Sequence, residues 1–307
     1  MRFSPLNRIC SLLLGVVVWV GLGCTSVSSS NSGQREQELV PDTMIVYASQ
    51  DTLFFQSLVE TVQQYHLENQ PPEELLVTIG KHFLKMPYHG HTLEAPGIEK
   101  LQVNFRGVDC TTFMENVVVL TRILKQKNVS FGAYTNELMK IRYRKGQLEA
   151  YPSRLHYLSD WFYENEQKGV LKNITREIGG IPFSKKIHFM SSHWDKYPAL
   201  ADTTYRKEIG LIEQEINSRK MFYVPKHEVG KLEKKIQSGD IIGITTGIEG
   251  LDLIHVGLAV FVGDRLHLMH ASSDAKEVVI SEKPLVDYLA GNRLQTGIMV
   301  ARLQLQN

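Results

Sequence analysis

The stretch that decides the fold is Gly107-Val-Asp-Cys-Thr-Thr-Phe-Met-Glu115. Apolar residues then recur at three- and four-residue steps, at Phe113, Val117, Leu120 and Ile123. This spacing predicts a helix that begins near Cys110 and buries one face, with Asp109 as its N-cap. A cysteine at a helix start gains thiolate character from unpaired backbone N–H groups and the helix dipole. Cys110 is therefore the candidate nucleophile.

The other two of the three cysteines lie in an N-terminal leader. Arg2 and Arg8, an apolar run over 9–22 and the small residues before Cys24 resemble a bacterial lipoprotein signal. This resemblance predicts a signal peptide over 1–23 and lipidation of Cys24. The apolar run is short for a membrane span, so a retained anchor is the least favoured alternative.

Two positions of the leader refine this prediction. Gly21 occupies the place where such signals carry leucine, which keeps ordinary secretion open. Thr25 follows Cys24 where an aspartate would indicate retention in the inner membrane. We therefore expect a cell-envelope protein anchored through lipid to the outer membrane of a Gram-negative cell, facing the periplasm.

Composition and charge limit the partners. Residues 24–37 are rich in serine and read as a flexible tether, and 38–307 have the composition of one globular domain. Removing 1–23 deletes two arginines and no acid, which takes 34 basic and 33 acidic residues to 32 and 33. A near-neutral chain lacks the electrostatic basis for binding nucleic acid.

The order of elements predicts an α+β fold. Helices are expected over 51–65 and 73–84, before the helix at Cys110. Strands are expected over 240–245, 254–262, 266–271 and 278–280, and 284–303 reads as a helix and a closing strand. The helix that starts at Cys110 would pack on an antiparallel sheet or small barrel. Residues around 143–225 give no clear pattern and are expected to form a helical and loop insertion.

Two histidines complete a catalytic constellation. If Gly263-Asp264 is a two-residue hairpin loop, paired positions sum to 527, which places His270 opposite Gly257 and diagonal to His255. Both histidines then share one strand face, on which the small Gly257 and Ala259 would let the Cys110 helix dock. We assign His255 as general base and acid and His270 as the residue that orients it. The alternative is that both are structural strand histidines.

The ordered motifs resemble the NlpC-type, papain-like cell-wall cysteine peptidases. The shared segments are Pro87-Tyr88, Asp109-Cys110, Gly239-Asp240-Ile241, His255-Val-Gly257 and His270-Ala-Ser272. A fuller set is similar to the bacterial N-acetylmuramoyl-L-alanine amidase-like branch: Phe83-Leu-Lys-Met-Pro-Tyr88, Thr92-Leu-Glu94, Asp109 to Glu115, Phe189-Met-Ser191 with His193, and Leu251-Asp252.

This resemblance implies a papain-like fold and cleavage of the amide between N-acetylmuramic acid and L-alanine in peptidoglycan fragments, anhydro-ended ones among them. The commoner branch cuts between γ-D-glutamate and a diamino acid and carries Ser-Gly after its cysteine. Here Thr111-Thr112 follows, so that endopeptidase activity is the alternative.

Substrate-binding residues are expected around the nucleophile. Tyr88 is placed like the family's active-site tyrosine, and Asp109 adjoins Cys110. A polar and aromatic cluster suited to sugar stacking and carboxylate pairing follows at Arg154, His156, Tyr157 and Trp161. Ser191 and His193 are further candidates for the groove.

Two other kinds of protein remain as alternatives. His89-Gly-His91, with Glu94 nearby, is the one close histidine pair, but a His-Glu-x-x-His motif is missing, so we expect neither metal nor cofactor. A lipid-anchored peptidoglycan-binding module without activity is the second alternative. The Cys110, His255 and His270 set argues against it, and alkylation of Cys110 at mildly acidic pH would test it.

Overall fold

The structure is a computed structural model that describes residues 41–305. The predicted signal peptide, Cys24 and the predicted tether lie outside these residues. The helices are α1 Ser49–Gln64, α2 Pro72–His82, α3 Cys110–Lys125, α4 Phe131–Arg142, α5 Leu158–Gln167, α6 Thr175–Ile178, α7 Phe189–Ser192, α8 Thr203–Ser218, α9 Val229–Leu232 and α10 Leu285–Ala290. The strands are β1 Ile45–Val46, β2 Leu101–Gln102, β3 Leu171–Asn173, β4 Ile181–Phe183, β5 Met221–Pro225, β6 Ile241–Thr246, β7 Leu253–Val262, β8 Arg265–Ser272, β9 Glu277–Ile280 and β10 Gln295–Leu303.

An eight-stranded sheet organises the fold. Its strands run in the order β4-β5-β10-β6-β7-β8-β9, β3 also pairs with β10, and neighbouring strands are antiparallel. The predicted α+β class is confirmed, and each predicted helix and strand is present within a few residues of its expected bounds.

The two faces of this sheet bury different cores. Alternate residues of β7, such as Val256 and Leu258, join Phe113 and Val117 of α3 in the larger core. Ala259 lies on the opposite face in a smaller core that includes Leu285 and Leu289 of α10. The sheet is therefore a layer between the long helices on one side and short helices, α10 among them, on the other.

Residues 143–225 differ from the predicted insertion. They supply β3, β4 and β5 to the main sheet, and α5 adds Trp161 and Phe162 to the larger core. A satellite core in the same segment is formed by Tyr151, Tyr157, Ile187, Met190, Leu200, Ile209 and Ile216. Strands of three to five residues leave too short an alternation to be recognised in sequence.

The part of the chain that the structure describes has no helix with the length and apolar character needed to cross a membrane.

Candidate active site

Helix α3 begins at Cys110 because Asp109 caps it, which confirms the predicted cap. Asp109 Oδ1 accepts hydrogen bonds from the Thr112 N–H and from the Thr112 hydroxyl, both at 2.8 Å. The Asp109 N–H donates to Thr112 Oγ1 at 2.9 Å. This reciprocal cap fixes the first turn, and the Cys110 N–H is left among the donors that a helix start does not satisfy internally.

A short backbone ladder connects this helix start to the sheet. The Val108 N–H donates to the Pro87 carbonyl at 3.0 Å, and the Tyr88 N–H donates to the Lys276 carbonyl at 2.7 Å. Pro87 also forms an antiparallel bridge with Glu277, the first residue of β9. Tyr88 and the residue that precedes the Asp109 cap are thereby fixed to the hairpin that carries His270.

The two predicted histidines meet. Strands β7 and β8 pair in the expected register, from Val262 with Arg265 to Leu258 with Met269. His255 Nε2 lies 2.6 Å from His270 Nδ1, and the two rings cross at 87° with centroids 4.8 Å apart. Their shared face is thus confirmed.

Gly257 makes this meeting sterically feasible. A Cβ atom at that position would lie 2.7 Å from the Met269 carbonyl oxygen and 2.9 Å from His270 Cβ. Both distances are shorter than real Cβ contacts, so any larger residue would push the β8 strand, and with it His270, away from His255.

The expected docking face of the helix is wrong. Helix α3 packs on the face of β7 that carries Val256 and Leu258, not on the face of Gly257 and Ala259. Large branched side chains provide the apolar area on which a helix packs, whereas Gly257 instead admits the neighbouring strand.

Cys110 lies beside the histidines because of where α3 begins. Beyond Leu258 and Met269 the strands β7 and β8 are no longer paired, and His255 and His270 lie past that point. There the Val256 N–H lies close enough to the Cys110 sulfur to favour its charged form. The thiol is therefore near the backbone of the residue that follows His255, at the end of the paired hairpin.

The charge state of the thiol also differs from the prediction. Burial, followed by the negative charge of Asp109, raises the pKa of Cys110 to about 12, and the nearby Val256 N–H opposes this only in part. The helix dipole favours the thiolate, but desolvation and the acidic cap act in the opposite direction and outweigh it here. The resting form is accordingly a neutral thiol.

Both histidines are neutral as well. Burial, followed by His270, lowers the pKa of His255 to about 3, and burial lowers the pKa of His270 to about 4 against the opposing charge of Asp274. The bond between His255 Nε2 and His270 Nδ1 leaves His255 Nδ1 as the ring nitrogen able to accept a further proton. For that role His255 carries its proton on Nε2 and donates it to His270.

A cleft of about 290 Å³ opens at Cys110. It is lined by Tyr88, Gly90, His91, Leu93, Glu94, Asp109, Cys110, Thr111, Glu115, Arg142, Arg154, Leu155, His156, Tyr157, Met190, Tyr197 and Leu251. The walls thus come from the 88–94 loop, the first turns of α3 and the satellite core. A substrate extended along this cleft would reach the sulfur at one of its walls.

Five of the predicted binding residues line this cleft: Tyr88, Asp109, Arg154, His156 and Tyr157. Burial, followed by the nearby acidic groups, raises the pKa of Tyr88, so its hydroxyl stays protonated as a donor. Tyr157 donates to Glu213 at 2.7 Å and accepts from the Met190 N–H at 2.8 Å. Its hydroxyl therefore shapes the wall.

Arg154 and His156 are also engaged by the protein. Arg154, 4% exposed, donates to Glu94 and to the Leu93 carbonyl, both at 2.6 Å, and its Nε lies 3.6 Å from Glu99. His156 Nε2 lies 2.8 Å from the Tyr151 carbonyl oxygen, and burial holds its pKa well below 6.5. The expected pairing of Arg154 with a substrate carboxylate is replaced by a clamp on the 93–94 loop.

Three predicted binding residues do not line the cleft. Trp161 is fully buried in the larger core, so the sugar-stacking role expected for it does not fit its position. Ser191 donates to the His188 carbonyl at 3.2 Å, and His193 stacks on Phe189 with centroids 4.3 Å apart. Met190, their neighbour in the α7 segment, is the residue that faces the cleft, so position in the sequence alone did not identify the lining residue.

Sequence reasoning missed several residues of this site. Met190 and Tyr197 line the cleft, and Tyr288 of α10 contacts the His270 ring. Met190 belongs to the quoted Phe189-Met-Ser191 segment, but its place in the cleft, like those of Tyr197 and Tyr288, is identified only by its tertiary neighbours. Within residues 41–305, no group of three or more His, Cys, Asp or Glu side chains is arranged to hold a metal ion.

Comparisons with known proteins identify a family for this chain. The AmiA-like family, described as N-acetylmuramoyl-L-alanine amidase-like, matches residues 78–298. No curated protein is significantly similar in sequence.

Solved structures give closer similarities. A crystal structure of an N-acetylmuramoyl-L-alanine amidase from Bacteroides uniformis is 38% identical, with a TM-score of 0.72 over 75% of this chain and 98% of that one. A protein from Bacteroides fragilis, provisionally named a xylanase, is 34% identical, with a TM-score of 0.69 over 74% and 99% of the two chains.

A Legionella pneumophila protein, LPG0564, shares the fold at 21% identity, with a TM-score of 0.61 over 81% of this chain and 95% of that one. The family match covers most of the domain, and the identity to the Bacteroides uniformis amidase extends over nearly all of that protein. The chain therefore belongs to the N-acetylmuramoyl-L-alanine amidase-like family.

Proposed function

We propose that the chain is a cysteine-dependent amidase that hydrolyses the bond between N-acetylmuramic acid and L-alanine in muropeptides. The observation that carries the proposal is the 2.6 Å bond between His255 and His270 beside a cysteine that starts a helix. A nucleophile, a base and a group that orients the base are the parts that acyl transfer requires, and papain-like sites combine them in this manner.

The reaction begins from a neutral Cys110 thiol and a neutral His255 imidazole. As the Cys110 sulfur attacks the lactyl carbonyl carbon, its proton passes to His255 Nδ1, and the lone pair of His270 Nδ1 stabilises the imidazolium through His255 Nε2–H. The Cys110 N–H and the Tyr88 hydroxyl support the oxyanion. Because the thiol pKa is high and the imidazole pKa is low, proton transfer accompanies attack and does not precede it.

Collapse of the tetrahedral intermediate breaks the C–N bond. His255 returns its proton to the nitrogen of L-alanine, which leaves with the intact peptide, while the lactyl group stays on Cys110 as a thioester. His255 then deprotonates a water molecule, which attacks the thioester and releases the sugar as a free carboxylate. The thiol regains its proton, so the cycle closes without an external reductant or oxidant.

A glycosidase reaction, as the provisional name of the Bacteroides fragilis structure suggests, suits this cleft less well. Such enzymes use two carboxyl groups that flank the bond. The three carboxylates that line the cleft all have structural partners: Asp109 caps α3, Glu115 pairs with Arg142 at 2.7 Å, and Glu94 pairs with Arg154 at 2.6 Å.

Muropeptide digestion followed by mass spectrometry tests the proposed bond. A disaccharide-tetrapeptide should yield intact disaccharide and intact tetrapeptide with a new N-terminus on L-alanine, and an anhydro-ended substrate run in parallel reports end preference. Release of a free diamino-acid peptide, with L-Ala-D-Glu left on the sugar, would establish the endopeptidase alternative. Binding without cleavage would establish the non-catalytic module.

Variants test the residue roles. Cys110→Ala and His255→Ala should abolish hydrolysis, while His270→Ala should reduce it less, because an orienting group only fixes the base. His227→Ala is the matched control, since His227 is an exposed histidine with a side chain 75% accessible. Near-normal turnover by either of the first two variants would contradict the assignment. Iodoacetamide should inhibit and EDTA should not.

We further propose that the protein is anchored in the cell envelope through acylated Cys24. The support is the leader sequence, with its apolar run and terminal cysteine. Cys24→Ser should shift the protein from the membrane fraction to the soluble fraction. A soluble native protein that begins at Thr25 or later would contradict the anchor without bearing on the amidase activity.

A further inference from the structure

The His270 ring has a second neighbour besides His255. Tyr288 of α10 lies edge-to-face against it, with ring centroids 5.4 Å apart and an interplanar angle of 74°. Like the contact between the His255 and His270 rings, it is an edge-to-face contact, and it lies on the α10 side of the sheet. The His270 ring therefore contacts two other rings, those of His255 and Tyr288.

Tyr288 itself is fixed by the fold. Its neighbours Leu285 and Leu289 are fully buried and anchor α10 to the smaller core. Burial raises the pKa of Tyr288, and the neighbouring side chain of Gln295, at the start of β10 and 5% exposed, opposes this.

His270 needs such a contact. Within residues 41–305, the bond to His255 is the hydrogen bond that the structure gives the His270 ring. One hydrogen bond fixes the position of a nitrogen atom but leaves the ring plane free to turn about that bond. An edge-to-face neighbour restricts the plane, because the ring edge is attracted to the face and a turned ring would lose that attraction.

We propose that Tyr288 is a positioning residue, whose ring keeps the His270 imidazole in the plane that accepts the proton of His255 Nε2. The proposal rests on the proposed amidase function. It assigns the effect to the aromatic ring and not to the hydroxyl, because the ring is the part of Tyr288 that contacts His270.

Substitutions of Tyr288 separate these contributions. Tyr288→Phe retains the ring and should keep kcat within about twofold of wild type. Tyr288→Leu and Tyr288→Ala remove the ring and should lower kcat by about three- to tenfold with KM unchanged, which corresponds to the loss of one edge-to-face contact. Tyr288→Leu retains apolar volume against the α10 core, so it tests the ring even if Tyr288→Ala folds poorly.

A double-mutant cycle distinguishes positioning from a general structural role. In the His270→Ala background, Tyr288→Leu should have no further effect on kcat, because the group that it positions is already gone. The same loss in both backgrounds would overturn the proposal, as would equal losses for Tyr288→Phe and Tyr288→Leu.

A readout independent of substrate separates this inference from the function itself. Proton NMR of the full chain should show the hydrogen-bonded His255 ring N–H signal in wild type and Tyr288→Phe, broadened by exchange in Tyr288→Leu. An unchanged signal in Tyr288→Leu would overturn the positioning role even if the protein proved inactive on muropeptides. Inactivity with the expected signals would instead contradict only the amidase assignment.

Discussion

The high pKa of Cys110 leads to a quantitative prediction for thiol reactivity. At a pKa of about 12, roughly one molecule in ten thousand carries a thiolate at pH 8. This thiolate fraction is about a thousandfold smaller than that of a thiol with a pKa of about 9 at the same pH. A more basic thiolate is intrinsically more nucleophilic, which recovers about twentyfold. The net expectation is alkylation about fiftyfold slower than that of an ordinary exposed cysteine.

Iodoacetamide labelling measures this directly. The second-order rate is followed from pH 5 to 11 by mass spectrometry of the peptide that contains Cys110, with free N-acetylcysteine as the reference. Because burial disfavours the charged form, the rate should rise about tenfold per pH unit through pH 8 to 11 without levelling off. At mildly acidic pH the labelling should be slow, in contrast to the expectation from the helix start.

Asp109→Asn tests the second cause of the shift. Asparagine caps a helix about as well as aspartate, so the free energy of unfolding should change little. Removal of the negative charge should lower the pKa of Cys110 and speed labelling at pH 8. A plateau of the wild-type rate below about pH 8 would refute the reasoning, because it would mean that a thiolate–imidazolium pair is the resting state.

Three further predictions concern the same site. On the acidic side, kcat/KM should decline only below pH 5, because His255 acts as a base only when neutral and its pKa is lowered to about 3. A decline centred near pH 6.5 would contradict this. Gly257→Ala should lower the free energy of unfolding by about 1–3 kcal/mol and should lower kcat, because the added methyl group overpacks the space beside His270. Gly210→Ala is the control: it lies in a helix with open space around its Cβ, so it should stabilise that helix by up to about 1 kcal/mol and raise Tm. Arg154→Ala should destabilise the fold by about 3–5 kcal/mol in chemical denaturation, because it leaves buried Glu99 without its cation; a loss below 1 kcal/mol would show that the clamp contributes little.

The sequence determined the helix start and the strand register. Asp109 followed by the stripe from Phe113 onward specifies a capped helix locally, because both signals lie within residues 109–123. Gly263-Asp264 sets the pairing of β7 with β8, because a two-residue loop fixes the register of a whole hairpin. That register brings together the strand ends that carry His255 and His270, although the paired ladder itself ends at Leu258 and Met269.

Tertiary structure decided which groups surround these residues. The sequence did not show that Arg154 pairs with Glu94, that Trp161 is buried, or that Tyr288 contacts His270. Each of these depends on packing between different elements of the chain. A residue's type indicates that it can pair or stack, but its partner depends on how the layers pack.

The thiol illustrates the same division. Local sequence places Cys110 at the positive end of a helix, which by itself lowers its pKa. Burial and the carboxylate of Asp109 instead raise the pKa to about 12. The dipole is a property of the helix, fixed by sequence, whereas desolvation is a property of everything packed around the sulfur. The packing of the whole domain sets the magnitude of this desolvation, and here its effect on the pKa outweighs that of the helix dipole.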